Sequence, residues 1–289
     1  NYMLDLAIVI VSWKVKDKLA ANLKELLASQ GNFNFEVWVV DNNSGDGTVE
    51  MIKHDFPQVH LIANPDNRGF ARANNQAIRE IRARYVLLLN PDMMVQPTTL
   101  ANMLAWCDAN PQATVTGCHL VTEDGKTLLH VRRFPTVWDQ LAIVLKLPHL
   151  FPHILDHYLR TDFDYTQAAP VDSVRGGFFW IRADREGRVP LLDERYFLWF
   201  EEVDYCRQVK LSGGQVWYTP AATCLDYVGQ SFKQVGRGQA QTYFRESMIK
   251  YFTKWEPRWQ SWLLKLAWPI GILLAICGEK LNWHRPAKT

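Results

Sequence analysis

Six consecutive apolar residues near the amino terminus, Leu6-Ala7-Ile8-Val9-Ile10-Val11, constrain the fold most strongly. A run of that length without alternation suits a strand buried on both faces of a parallel sheet, which needs helices on either side. The following sequence supplies them. Asp17 to Ser29 carries Leu19, Leu23, Leu26 and Leu27 at helical spacing, and Glu36 to Val40 returns as a second strand. The alternation continues with a helix over Thr48 to Phe56, a strand at Val59 to Ile62, a helix over Ala71 to Arg82 and a strand at Tyr85 to Leu89, so residues 1–112 read as an α/β half. In such sheets ligands collect at the carboxyl ends of the strands, which directs attention to the loops after Val11, Val40, Ile62 and Leu89.

Beyond this half the pattern changes. A strand is expected over Ala113 to Val121, a turn at Glu123-Asp124-Gly125-Lys126, a Pro-interrupted stretch from Phe134 to His157 and a strand at Phe178 to Arg182. A helix over Glu201 to Leu211 follows, closed by Gly213-Gly214 as a carboxyl-terminal cap. Residues 113–235 are expected to form an acceptor-side half, completing a catalytic domain over 1–235. Residues 236–289 are expected to be a helical extension, in which Trp255, Trp259, Trp262, Trp268 and Trp283 stand among Leu, Ile and Lys. Trp262 to Cys277 is strongly apolar, but Lys265 and Pro269 interrupt it and it falls short of a spanning helix. Two readings stay open: helices making peripheral contact with a bilayer surface, or a hairpin packed on the core or on a second copy in a homodimer.

Composition excludes some classes. With 48% hydrophobic and 21% charged residues and a net charge of +2, the chain is of ordinary globular make-up and lacks the basic footprint of a nucleic-acid binder. Five scattered cysteines without a CxxC pair suggest neither a disulfide framework nor a zinc site, and a reducing, cytoplasmic setting is expected. Asn1 to Asp5 carry no feature of an export signal. Ser12-Trp13-Lys14-Val15-Lys16 has no glycine, which argues against the phosphate loop of a nucleotidyltransferase or an NAD-dependent oxidoreductase. His149, His153 and His157 recur every four residues, but Pro148 and Pro152 break the helix a shared metal would need, and Gly236-Arg237-Gly238 is half a dinucleotide fingerprint in the wrong place.

The loop from Val40 to Thr48, VDNNSGDGT, follows the second strand directly. Asp41 there can accept a hydrogen bond from the imide N–H of uracil or thymine, whereas Asp46 and Thr48 suit a helix cap. This loop resembles the signature of glycosyltransferase family 2, and Asn67 to Ile78, NRGFARANNQAI, is similar to a second family segment. The resemblance implies that Ser12, Asp41, Asn43, Asn67, Gly69, Phe70, Asn74 and Asp92 border a nucleotide-sugar, with Gly69 allowing close backbone approach. Leu87 to Asp92, LLLNPD, resembles the family's metal-binding acidic motif. It implies Asp92 as a ligand for Mg2+ or Mn2+, a hard cation that neutralises a departing diphosphate.

Arg175-Gly176-Gly177-Phe178, Leu192 to Phe197 and Phe200 to Arg207 resemble the family's Gly-rich strand, acidic turn and acidic helix start. The resemblance implies Glu202 as the base that takes the acceptor's proton in an inverting transfer, with Glu in place of the usual Asp and with Glu201 and Asp204 as fallbacks. Asp226 stands where many relatives have His and remains a competent metal ligand. Ser231, Lys233 and Arg237 follow on a loop that would lie over the diphosphate. The implied fold is GT-A: a Rossmann-like mixed sheet flanked by helices.

The order of motifs is most similar to the rhamnosyltransferase branch, supported by Val131-Arg132-Arg133-Phe134-Pro135. That implies dTDP-L-rhamnose as donor, a saccharide or lipid-linked acceptor in cell-surface polysaccharide synthesis, and no nucleic-acid partner. A UDP-hexose donor and a catalytically inactive nucleotide-binding relative are the alternatives.

Overall fold

In the computed structural model, which describes residues 3–227 and 237–280, the apolar run becomes β1 (Leu4–Ser12), with Leu6 to Ile10 fully buried. Strand alternation sends Leu6, Ile8 and Ile10 into one core and Ala7 and Val9 into another on the opposite face. Burying each Leu or Ile side chain in this way is worth about 1.5–3 kcal/mol over exposing it. β2 (Phe35–Asp41) and β4 (Ala83–Leu89) lie parallel to β1 on its two sides, and β3 (His60–Ala63) lies beyond β2. The first core is closed by α1 (Lys16–Leu27), α2 (Thr48–Asp55) and α4 (Thr99–Ala109). The second is closed by α3 (Phe70–Glu80), whose Ala71, Ala73 and Ala77 let it sit close to the sheet, and by α7 (Glu201–Leu211).

The sheet is mixed. β8 (Phe178–Arg182) is antiparallel to both β4 and β6 (Ala113–Val121), while β9 (Gln215–Asp226) runs parallel to β6 and antiparallel to β5 (Met93–Val95) and β7 (Ala169–Val171). Among the described residues the nine strands follow the order β3-β2-β1-β4-β8-β6-β9-β5, with β7 beside β9. The chain runs outward from β1 to β3 and then crosses back to β4, so the topological switch point, and the crevice it creates, lies over the carboxyl ends of β1 and β4. β6, β8 and α7 have the bounds read from the sequence, whereas α4, β5, β7 and β9 are additions to it. α7 ends as its glycines imply. Gly213, at φ 85°, donates to the Lys210 carbonyl and Gly214 to the Val209 carbonyl, a Schellman closure.

The Pro-interrupted middle holds α5 (Val137–Val144), opened by a capping box between Thr136 and Asp139, then a 3-10 turn (Leu147–His149) and α6 (Asp156–Leu159). α8 (Arg237–Trp255) and α9 (Arg258–Lys280) follow, the second continuing through Pro269. A third core joins Val137 and Val144 of α5, Tyr196 and Phe200, Met248, Tyr251 and Phe252 of α8, and Leu264 and Ala267 of α9. The other face of α9 exposes Trp259, Trp262, Leu266, Ile270 and Leu273. One face of this segment thus packs on the core and the other meets solvent. No helix among the described residues is long and apolar enough to cross a membrane. Ser231, Lys233 and the Arg237 side chain lie outside the described residues.

Candidate active site

Ser12 and Asp41 end β1 and β2 as register partners, and both are buried. The Asp41 carboxylate accepts the Ser44 N–H at 3.0 Å and the Ser44 hydroxyl, and the same hydroxyl oxygen accepts the Lys14 N–H at 2.9 Å. Asp41 therefore also pins the two loops around it, a turn-forming role the sequence assigned only to its neighbours. Asp46 accepts from the Thr48 N–H at 3.1 Å and from the Lys16 N–H at 3.2 Å, organising the start of α2. Asn43 is exposed at φ 59°, a left-handed conformation Asn tolerates. Asn42 is a residue the sequence reading missed. It donates to the Gly69 carbonyl at 3.2 Å and accepts from Asn64 at 3.0 Å, tying the loop after β2 to the head of α3.

At that head Asn67 accepts the Gly69 N–H at 3.0 Å. Gly69 has φ 78°, and a Cβ there would stand 2.6 Å from the Phe197 carbonyl oxygen, which itself accepts the Phe70 N–H at 2.8 Å. The close backbone approach expected of Gly69 is thus made to the 192–200 turn of the chain itself. Asn74 is fully enclosed and donates to the Phe70 carbonyl at 2.9 Å, so its amide group serves α3. Its neighbour Asn75, also missed, clamps the turn: it donates to the Leu192 carbonyl at 2.9 Å and to Glu194 at 3.0 Å, and accepts the Leu192 N–H at 2.9 Å. Asn67 lines a polar groove of about 700 Å3 with Arg72, Glu194, Tyr243 and Lys250.

Asp92 and Asp226 stand on adjoining chain segments on the other side of the crevice. Asp92, 3% exposed, follows β4 and immediately precedes β5, whose Met93 is the register partner of Asp226. Asp226, also 3% exposed, is paired with Arg175 at 2.8 Å. Next to Arg175, a Cβ on Gly176 would stand 3.3 Å from the Glu202 Cβ, and the Gly177 carbonyl accepts the Asn90 N–H at 2.9 Å. The tripeptide 175–177 therefore joins the Asp92 loop, Asp226 and Glu202. Asn22 braces the loop from below, donating to the Met93 carbonyl at 2.5 Å and the Asn90 carbonyl at 3.3 Å. Asn22 is legible as a polar residue on the apolar stripe Leu19-Leu23-Leu26; nothing local reveals the role of Arg175.

Glu202 stands at the head of α7 after two consecutive left-handed residues, Trp199 (φ 66°) and Phe200 (φ 68°). Each costs of order 1–3 kcal/mol, and such outliers concentrate where a side chain must be aimed. One oxygen of each of Glu201 and Glu202 is buried without a hydrogen-bond partner among the described residues. Burial raises the pKa of Glu202, against backbone N–H groups at the helix start and the Arg175 charge, which lower it. Burial, reinforced by repulsion from Glu202, pushes Glu201 well above the ordinary range. Asp204 is otherwise engaged. It is fully buried and accepts from Tyr196 at 3.1 Å, Lys254 at 2.8 Å, Trp255 at 2.6 Å and Gln208, which removes it as a fallback base.

Residues 7–157 match the model of the glycosyl transferase family 2 domain. The N-acetylglucosaminyl-diphospho-decaprenol L-rhamnosyltransferase of Mycobacterium tuberculosis is 24% identical over 251 residues, covering 83% of this chain and 81% of that protein. The rhamnosyltransferase WbbL of Escherichia coli is 24% identical over 229 residues, covering 76% and 82%. Among solved structures, the mannosyltransferase PcManGT from Pyrobaculum calidifontis, in complex with GDP-Man and Mn2+, superposes with a TM-score of 0.58 at 16% identity, over 97% of this chain and 76% of that one. The last likeness is one of fold, and it agrees with the GT-A sheet expected from the motifs.

Proposed function

Because the chain belongs to glycosyl transferase family 2, and is therefore a glycosyltransferase, we propose that it moves L-rhamnose from dTDP-L-rhamnose onto a hydroxyl of a lipid-linked saccharide, with inversion at the anomeric carbon. The observation that supports this reading is the tripeptide 175–177, whose Arg175 pairs with Asp226, whose Gly176 lies against Glu202 and whose Gly177 carbonyl accepts the Asn90 N–H two residues before Asp92. Glu202 takes the proton from the acceptor hydroxyl as its oxygen attacks. Its raised pKa makes it a stronger base than an ordinary carboxylate, and the left-handed pair before it fixes its direction. Asp41 keeps lone pairs beyond those Ser44 uses, and one of them would accept the imide N–H of thymine.

Two buried carboxylates on adjoining strand ends are a donor set suited to Mg2+ or Mn2+, and Asp92 with Asp226 would hold the ion. When bound it supplies neutralising charge to the diphosphate leaving group. Arg175, 2.8 Å from Asp226, supplies that carboxylate with a compensating charge, and its guanidinium could turn to a phosphate. Two rhamnosyltransferases among the relatives support the sugar, the decaprenol in one relative's name supports the lipid, and the Mn2+ of the mannosyltransferase complex supports the metal. A UDP-hexose donor is the second reading, since Asp41 would accept uracil as readily. We read α8 and α9 as a unit appended to a catalytic part over 1–235, with the outer face of α9 resting on a bilayer surface.

The test is a thermal-shift screen of nucleotide sugars with Mn2+. dTDP-L-rhamnose should raise the melting temperature, and EDTA or Asp41→Ala should abolish the rise. A larger shift with UDP-sugars would select the second reading, and stabilisation by purine nucleotides alone would overturn both.

A further inference from the structure

Between α5, α8 and α9 lies a cavity of about 220 Å3, walled by Trp199, Ala240, Phe244, Trp268 and Ile272 with Lys146 among them. It exceeds the apolar void of ~150 Å3 that takes up benzene. Two features connect it to its surroundings. Ile272 is 39% exposed and belongs to the outer apolar face of α9, so the cavity is continuous with that face. Trp199 belongs to the left-handed pair that aims Glu202, so the opposite wall is the turn carrying the base.

Among the described residues Lys146 is the one cation in this wall. It is half-buried at φ 58°, its pKa is lowered by burial, and no carboxylate pairs with it among the described residues. An ammonium held beside apolar side chains without a counter-ion is a receptor for an anion that arrives attached to something apolar.

We propose that this cavity binds the hydrocarbon nearest the phosphate of a prenyl-phosphate acceptor, with Lys146 meeting the phosphate. A chain entering along α9 would bring the saccharide at its head toward Glu202. The assignment rests on the reading of the acceptor as lipid-linked. It names the acceptor rather than a bilayer phospholipid because the cavity abuts the catalytic turn, where an anchor has no reason to reach.

Farnesyl phosphate below its aggregation limit is the probe, titrated calorimetrically into the full chain. Saturable one-to-one binding is expected, at least tenfold weaker in Ala240→Phe, which fills the cavity, and several-fold weaker in Lys146→Gln. Farnesol, lacking the phosphate, should respond to Ala240→Phe and not to Lys146→Gln, a comparison that stands even if Ala240→Phe perturbs folding. Unsaturable binding, or unchanged binding in Ala240→Phe with its circular dichroism intact, overturns the assignment. An equal loss of affinity for phosphatidylglycerol vesicles in Ala240→Phe also overturns it, because the cavity would then be a bilayer anchor. Rhamnose transfer from dTDP-L-rhamnose to a prenyl-diphosphate-linked saccharide, with none to the same saccharide free of lipid, tests the underlying reading separately.

Discussion

As the proposed base, Glu202 would accept a proton in a place where burial disfavours the ionised carboxylate, and the Arg175 charge partly offsets this. Activity needs the ionised form, so kcat/KM should rise with pH through a limb lying above the ordinary Glu range. Arg175→Gln removes a lowering influence and should move that limb to still higher pH; a limb that stays put would show that Arg175 does not act on Glu202. Glu202→Gln should lower kcat by roughly 10²–10⁴-fold while donor binding by thermal shift persists. Glu201 has the opposite balance, being enclosed and repelled by its neighbour. Its folded pKa lies above its unfolded one, so its favourable contribution is complete below the unfolded value and is lost as pH rises toward the folded one. Glu201→Gln should therefore be more stable than wild type by a margin that grows as pH rises from the ordinary Glu range toward the raised folded value, at most about 1.4 kcal/mol per pH unit. Equal melting temperatures across that range would mean the carboxyl is better solvated than the structure places it.

At the scale of elements, α7 is held from behind by α8. Lys254 reaches Asp204 and Asp193 at 2.8 Å each, and Asp193 is kept well below the usual carboxylate range first by Arg195 and then by Lys254. Lys254→Met leaves the fully buried Asp204 without its cation, a loss of about 3–5 kcal/mol in chemical denaturation. A loss below 1 kcal/mol would uncouple the two helices. The elements differ in how far the sequence discloses them. β1, β2, β4, α1 and α3 announce themselves through apolar periodicity, and α7 through its acids and glycines. α4 is within reach of the same rule, with Leu100, Met103, Leu104 and Cys107 on one face. β7 has three residues including Pro170, and β9 is broken by Pro220, so neither presents a strand pattern. Of the site, the acids and Asn67 to Phe70 stand out as motifs. Arg175 and Asn75 act across 51 and 117 residues of sequence, distances over which only the folded chain brings partners together.

At the scale of the molecule, the chain presents a polar groove beside the head of α3 and an apolar face along α9. Trp262 and Leu266 are 59% and 70% exposed on that face, and burying such a side chain in a bilayer is worth about 1.5–3 kcal/mol. The double variant Trp262→Glu, Leu266→Glu should sediment with phosphatidylglycerol vesicles at least tenfold more weakly than wild type. Undiminished sedimentation would place the contact elsewhere. The tripeptide 175–177 has a further consequence for how such a molecule can vary over generations. On the proposed roles of Asp92, Asp226 and Glu202, one short stretch would set the spacing of donor-side and acceptor-side chemistry, and a single inserted residue there would spoil both in one stroke. The hairpin tip at 122–126, which shares no bond with either among the described residues, can lengthen freely. Diversity among descendants should accordingly gather at the hairpin, and loop length at 175–177 should stay frozen even as its side chains drift.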